Sequence, residues 1–109
     1  MLLNGGKFEG KRYLPPRTVE IMTTNRLSDD VEFGPEQGFG LNFGVVTDAT
    51  QVGFAASDCE YYWSGIATTV FWVDPEENMI VIMMSQYLPY SGNQYRDILH
   101  RLARAAIIE

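Results

Sequence analysis

The side chains that could do covalent chemistry in this 109-residue chain are few. Cys59 is the one cysteine and His100 the one histidine, and the two fall in different predicted elements. A catalytic thiol needs a neighbouring base to form its thiolate. Cys59 is therefore interpreted as a small buried side chain, and His100 as a solvated residue on the polar face of a helix. The sequence predicts no catalytic residue in this chain, no metal site and no cofactor.

Three closely spaced glycines offer a second possible site. The spacing of Gly38, Gly40 and Gly44 is similar to that of a phosphate-binding loop, but such a loop must be followed by a helix whose N-terminus binds the phosphate. No helix is predicted after them, so these glycines are interpreted as marks of bulges or of close backbone approach in a strand.

The hydrophobic pattern predicts an α+β fold in which three antiparallel strands carry a C-terminal helix on one face of the sheet. The strands are expected at about 39–47, 61–73 and 79–86, with a hairpin turn over 74–78 where Pro75 has a suitable fixed φ. A shorter helix is expected to begin at Pro16 and to end near Asn25.

The C-terminal helix is predicted over 93–108, with an apolar face toward the sheet and a polar face toward solvent. The apolar face comprises Tyr95, Ile98, Leu99, Leu102, Ala105 and Ala106, and the polar face comprises Arg96, Asp97, His100, Arg101 and Arg104.

Two features predict that residues 1–109 are one partial domain. Met1–Leu3 followed by Asn4-Gly5-Gly6 has the pattern of a helix C-terminus with a left-handed cap, yet three residues cannot form a helix. Met79–Met84 is continuously apolar, which is typical of a strand covered on both faces and paired at both edges. A sheet of three strands provides no such position.

The net charge of −6 is unevenly placed, because no lysine or arginine occurs between Arg26 and Arg96 while ten acidic residues do. Such a surface repels phosphate backbones and anionic lipids, so nucleic-acid and membrane partners are not expected. The N-terminus lacks the pattern of a signal peptide. A soluble protein is therefore expected, cytoplasmic if the chain is taken as written.

Four segments have a distinctive wording, order and spacing: Met1–Gly6, Leu14–Met22, Gly38–Val46 and Phe71–Pro75. Together they resemble the C-terminal region of class C β-lactamase-like esterases, a family of serine hydrolases related to penicillin-binding proteins.

The resemblance implies a groove motif at Trp63-Ser64-Gly65. In the family, a Ser-x-x-Lys motif supplies the nucleophile, a Tyr-x-Asn-like motif supplies a base, and a third motif on a strand lines the substrate groove. Trp63-Ser64-Gly65 resembles the third, with Ser64 where the esterases often have Gly, and the following Ile66-Ala67-Thr68 also departs from the commoner ending. By analogy, Trp63 would wall the acyl pocket, Gly65 would let substrate lie along the strand, and the Ile66 N–H would be one oxyanion-hole donor.

The other two motifs are absent from the sequence: no serine precedes a lysine by three positions, and no tyrosine precedes an asparagine by two. The expected function is therefore that of the C-terminal part of a serine hydrolase, catalytically incomplete alone, whose complete enzyme would act on a small ester or lactam-like substrate. The alternative is a stand-alone binding or assembly module derived from the same fold. In either case the Met79–Gln86 edge is expected to pair in a homodimer, or with the missing N-terminal segment of the fold.

Overall fold

The computed structural model describes residues 1–88 and 94–108, which form an α+β fold of two helices and antiparallel β-sheet. The predicted fold class is confirmed. The helices are α1 (Pro16–Thr23) and α2 (Gln94–Ala105). The strands are β1 (Lys7–Phe8), β2 (Lys11–Arg12), β3 (Gln37–Phe39), β4 (Gly44–Val46), β5 (Tyr61–Ser64), β6 (Val70–Asp74) and β7 (Met79–Met83).

Strands β3 to β7 form one antiparallel sheet in sequential order, while β1 and β2 form a separate two-residue hairpin. The main sheet has five strands where three were predicted, because two of the predicted strands are hairpins. The predicted strand at 39–47 contains a turn, and Gly40 lies so close to α1 that a Cβ there would be 1.9 Å from the Met22 carbonyl oxygen. The predicted strand at 61–73 is divided into β5 and β6 by a turn over 65–69.

The predicted turn between β6 and β7 is confirmed, and the structure shows what holds it. The Asp74 carboxylate accepts hydrogen bonds from the backbone N–H groups of Glu76 and Glu77, each at 3.0 Å. This arrangement is the local side-chain-to-backbone turn that aspartate favours.

One face of the sheet carries the larger core. Its centre is Val46, Tyr62, Val70 and Trp72. Residues of α2 and of the segment between β4 and β5 pack on these side chains and exclude water from them. The covering residues include Ala49, Val52, Phe54, Ala56, Leu99 and Ala103.

The opposite face of the sheet is only partly covered. Leu2, Leu3 and Phe43 pack on a small cluster formed by Val45, Tyr61 and Val73. Toward the end of β5 this cover stops, although the register continues from Trp63 through Phe71 to Ile82. Trp63 is 46% exposed and Ile82 is 65% exposed.

The predicted helix start at Pro16 and the predicted glycine cap at Gly5-Gly6 are both confirmed. Helix α1 begins at Pro16, with a proline in its first turn. The Gly5 and Gly6 amides donate to the carbonyl groups of Leu2 and Met1, which is the paired hydrogen-bond pattern of a glycine-capped helix C-terminus.

Helix α2 packs on the sheet as predicted, but mainly through residues of the face that was expected to be solvated. His100 is buried and Arg104 forms ion pairs with strand residues, while Tyr95, Ile98 and Leu102 are exposed. Of the predicted apolar face, Leu99 packs on the core. The reversal occurs because buried carboxylates below α2 attract its cationic side. Asn93, the predicted first residue of this helix, lies outside the described residues.

Candidate functional site

The Trp63–Ile66 segment lies where β5 ends and turns into β6. Trp63 pairs with Phe71. The Gly65 N–H donates to the Thr69 carbonyl at 2.9 Å, and the Thr68 N–H donates to the Gly65 carbonyl at 3.0 Å. A Cβ at Gly65 would lie 2.4 Å from Thr69 Oγ1. A larger residue at position 65 would therefore require the Thr69 hydroxyl to move away.

Ile66 is the most exposed part of this turn. Its side chain is 80% exposed. Across residues 1–88 and 94–108, its backbone N–H donates to no acceptor. A backbone donor without a partner, at the surface, is free to bind an oxygen atom of another molecule. This is the chemical property that an oxyanion-hole donor requires.

An apolar pocket of about 260 Å³ lies beside this turn. It is open because the sheet face is uncovered there, next to the exposed Ile82 and Met84. The Trp63 ring at its wall makes an edge contact with Phe39, with ring centroids 5.4 Å apart. The pocket is lined by Trp63, Ser64, Gly65, Thr69, Val70, Phe71, Ile82, Met83 and Met84. The structure thus brings Trp63, Ser64 and Gly65 together around one pocket, while Ile66 lies on the turn next to them.

The cysteine and the histidine both differ from their predicted environments. Cys59 was predicted to be buried but is exposed, because it lies in the turn before β5 with a positive φ of 63°. His100 was predicted to be solvated but is 1% exposed. Its ring lies 3.8 Å from the Trp72 ring, centroid to centroid, under α2. Trp72 faces α2 and Trp63 faces the other side of the sheet, so His100 cannot reach the pocket.

A buried cluster of charged side chains under α2 was missed by the sequence interpretation. Glu60 and Asp74 are 0% exposed, and Arg104 contacts both carboxylates, Glu60 Oε2 at 3.2 Å. A signal for it does exist in the sequence. Arg96, His100 and Arg104 recur at intervals of four, which places all three along one side of a helix.

Burial shifts the pKa values of two groups in this region. It raises the pKa of Glu60 to about 7, against the attraction of Arg104. It lowers the pKa of His100 to about 4, with repulsion from Arg96 acting in the same direction. Both groups therefore favour their neutral forms in the folded chain.

Within the described ranges, no helix is long and apolar enough to cross a membrane. The same residues contain no group of three or more His, Cys, Asp or Glu side chains placed to hold a metal ion.

Comparison with solved structures assigns the chain a hydrolase-like fold. The structure of EstCE1, described as a hydrolase with promiscuous acyltransferase activity, matches 90% of this chain with a TM-score of 0.71 and 24% sequence identity. The match covers 25% of the EstCE1 chain.

Two curated relatives come from Mycobacterium tuberculosis: the uncharacterized protein MT1414 of strain CDC 1551 / Oshkosh and protein Rv1367c of strain ATCC 25618 / H37Rv. Each is 33% identical over 100 residues, which is 82% of this chain and 25% of the relative. The chain thus spans about a quarter of the length of the relatives it matches. No protein-family model matches it.

Proposed function

We propose that this chain is the C-terminal part of a serine β-lactamase-like esterase, in which it supplies one wall of the substrate groove and one donor of the oxyanion hole. The observation that carries the proposal is the Ile66 amide, which lacks an acceptor among the described residues and lies next to the pocket walled by Trp63. The hydrolase-like fold of the matched EstCE1 structure supports it.

The chemistry divides naturally between this chain and the rest of such an enzyme. In acyl transfer, negative charge develops on the carbonyl oxygen of the substrate when a serine attacks it. An Ile66 N–H aimed at that oxygen would stabilise the charge, and one donor of this type is worth about 3 kcal/mol at the transition state. The nucleophile and its base would come from the Ser-x-x-Lys and Tyr-x-Asn motifs that this sequence lacks.

Trp63 and its neighbours suit an apolar acyl group. The pocket beside the turn is lined mainly by aromatic, aliphatic and methionine side chains, and none of its lining residues is charged. Burial of an apolar acyl chain against these side chains would be favourable, at about 25 cal/mol for each Å² removed from water. A small ester of an apolar acid is therefore the proposed substrate class of the complete enzyme.

A chimera tests this function. This chain replaces the matching quarter of EstCE1, and hydrolysis of p-nitrophenyl butyrate is measured. Ile66→Pro removes the proposed donor, whereas the matched control Ile66→Ala keeps the amide and loses only the side chain. We expect Ile66→Pro to lower kcat by about a hundredfold or more, with Ile66→Ala close to the parent chimera.

Equal rates for the two variants, in chimeras with the same circular dichroism spectrum, would contradict the proposed role of Ile66. A well-folded chimera without any hydrolysis would favour the alternative, a binding or assembly module derived from this fold.

We further propose that β7 pairs with a strand from the remainder of the same fold. Strand β7 is the last strand of the sheet, and no described residue pairs with its outer side. Ile80 and Ile82 alternate with half-buried residues and are exposed on the less covered face of the sheet. An apolar edge with free N–H and C=O groups favours addition of a strand.

The partner strand is proposed to come from the N-terminal segment of the complete fold, since this chain matches only a quarter of EstCE1 and of its curated relatives. Pairing of two copies through their β7 edges is the competing outcome, and measurement of the oligomeric state distinguishes the two.

A further inference from the structure

The proposed hydrolase function does not involve the buried cluster of charged side chains under α2. The cluster comprises Glu60, Asp74, His100 and Arg104, and is called here the anchor cluster. Arg104 contacts Glu60 and Asp74, and its own side chain is 17% exposed. With both carboxylates ionised and the imidazole neutral, two negative charges contact one guanidinium, that of Arg104, while Arg96 attracts Glu60 without forming an ion pair with it. Burial of an incompletely paired carboxylate is costly, and a proton taken up by a titratable group relieves that cost.

The contacts of His100 indicate that it shares this proton with Glu60. His100 Nδ1 lies 3.0 Å from the Ala55 carbonyl oxygen. A carbonyl oxygen can only accept, so Nδ1 carries the hydrogen. In the neutral ring, Nε2 is then an acceptor. Nε2 lies 3.5 Å from Glu60 Oε1, and neither atom has another partner among the described residues. One proton between the two atoms makes one of them a donor and the other an acceptor, and burial, which disfavours charge on both groups, favours its position on Glu60 Oε1.

We propose that α2 is held on the sheet through a neutral carboxyl–imidazole pair, Glu60–His100, and that loss of the Glu60 proton as the pH rises through neutrality loosens α2. The packing of α2 on the sheet then depends on pH. From the sheet side, Asp74 faces this pair and Ser57 Oγ donates to Asp74 at 2.8 Å. The groups that face it from α2 and from the turn after β6 are Arg96, Arg104 and Glu77.

As the pH changes, Glu60 and His100 alter the stability of the folded chain in opposite directions. The pKa of Glu60 is about 7 when folded, above its ordinary value of 4.5, so its stabilising contribution is complete below pH 4.5 and is lost as pH rises through 7. The pKa of His100 is about 4 when folded, below its ordinary value of 6.5, so its contribution is complete above pH 6.5 and is lost as pH falls through 4. The two effects oppose each other between pH 4.5 and 6.5, the effect of Glu60 alone remains between pH 6.5 and about 7, and neither group changes the stability further above that range.

Two measurements on the 109-residue chain test the proposal. The first is the carbon-13 NMR titration of the Glu60 side-chain carboxyl in chain labelled at glutamate. We expect Glu60 to be protonated at pH 6 and to titrate near pH 7. A Glu60 carboxyl that is already ionised at pH 6 overturns the proposal, and this measurement needs no variant.

The second is amide hydrogen exchange of α2 between pH 6 and 9, corrected for the intrinsic pH dependence of exchange. We expect the protection of α2 to fall about threefold between pH 6 and 8 and to stay constant above pH 8, because Glu60 is ionised in both the folded and the opened chain above pH 7 and His100 offsets its titration below pH 6.5. Glu60→Gln, which copies the neutral carboxyl, should abolish this fall. Glu77→Gln is the matched control, because Glu77 lies 3.5 Å from Arg104 but is partly exposed, and it should retain the fall. Unchanged protection in the parent chain, or the same fall in Glu60→Gln, overturns the proposal.

Discussion

Replacing Arg104 with methionine keeps most of the side-chain length but removes a guanidinium that contacts both Glu60 and Asp74. Both carboxylates are 0% exposed, so neither can be hydrated in place of the lost partner. Breaking a buried ion pair by removing one partner costs about 3–5 kcal/mol. Because Arg104 keeps some contact with water, we expect Arg104→Met to lower the free energy of unfolding by the lower end of this range, about 3 kcal/mol at pH 7.5.

A loss of this size is large for a chain of this length, whose free energy of unfolding is expected to be about 5–15 kcal/mol. It corresponds to a fall in Tm of about 12–24 °C. Urea denaturation at equilibrium measures the free energy directly. Arg101→Met is the matched control, since Arg101 is an exposed arginine of the same helix, and it should change stability by about 0.5 kcal/mol or less. Equal urea midpoints for the two variants would show that the anchor cluster does not hold α2.

Two further predictions concern the site and the sheet edge. The isolated chain should not hydrolyse p-nitrophenyl butyrate, because it lacks Ser-x-x-Lys and Tyr-x-Asn; saturable turnover that titrates with a serine-directed phosphonate would reveal a nucleophile in this chain. Ile82→Lys should dissociate or aggregate whatever assembly the β7 edge forms, because it places a charge among exposed apolar residues. The control Leu41→Lys, also on an exposed position, should not. Sedimentation checks this, and a folded monomer at high concentration in the parent chain, with rapidly exchanging β7 amides, would refute edge pairing.

The main elements of the fold could be predicted because their signals are local. The Pro16 helix start, the glycine cap at Gly5 and the Asp74 turn each depend on residues within one turn of chain, and the structure has all three. The hairpin inside the predicted strand at 61–73 was missed because the turn over 65–69 has neither an Asn-Gly nor a Pro signal. The turn inside the predicted strand at 39–47 involves the close approach of Gly40 to Met22 of α1, a contact between distant residues that is visible only in three dimensions.

The face of α2 could not be predicted from its apolar residues alone. Tyr95, Ile98 and Leu102 form a regular stripe, and nothing within the helix opposes the interpretation that this stripe is buried. The decisive partners are Glu60 and Asp74, which lie 44 and 30 residues before Arg104. Since a periodicity argument considers one element at a time, it cannot include this attraction between elements.

The sequential order of β3 to β7 has a consequence for how the chain folds. Every strand pairs with its neighbour in sequence, and three of the four connections, over 40–43, 65–69 and 75–78, are short loops, whereas that between β4 and β5 covers 47–60. Folding by such local contacts has a low entropic barrier, and it is fast compared with that of sheets joined by distant segments. The ion pairs of Arg104 with Glu60 and Asp74 instead span 44 and 30 residues and are expected to form late. Loss of Arg104 should then speed unfolding while leaving the folding rate nearly unchanged, which makes the anchor cluster a determinant of the lifetime of the folded chain.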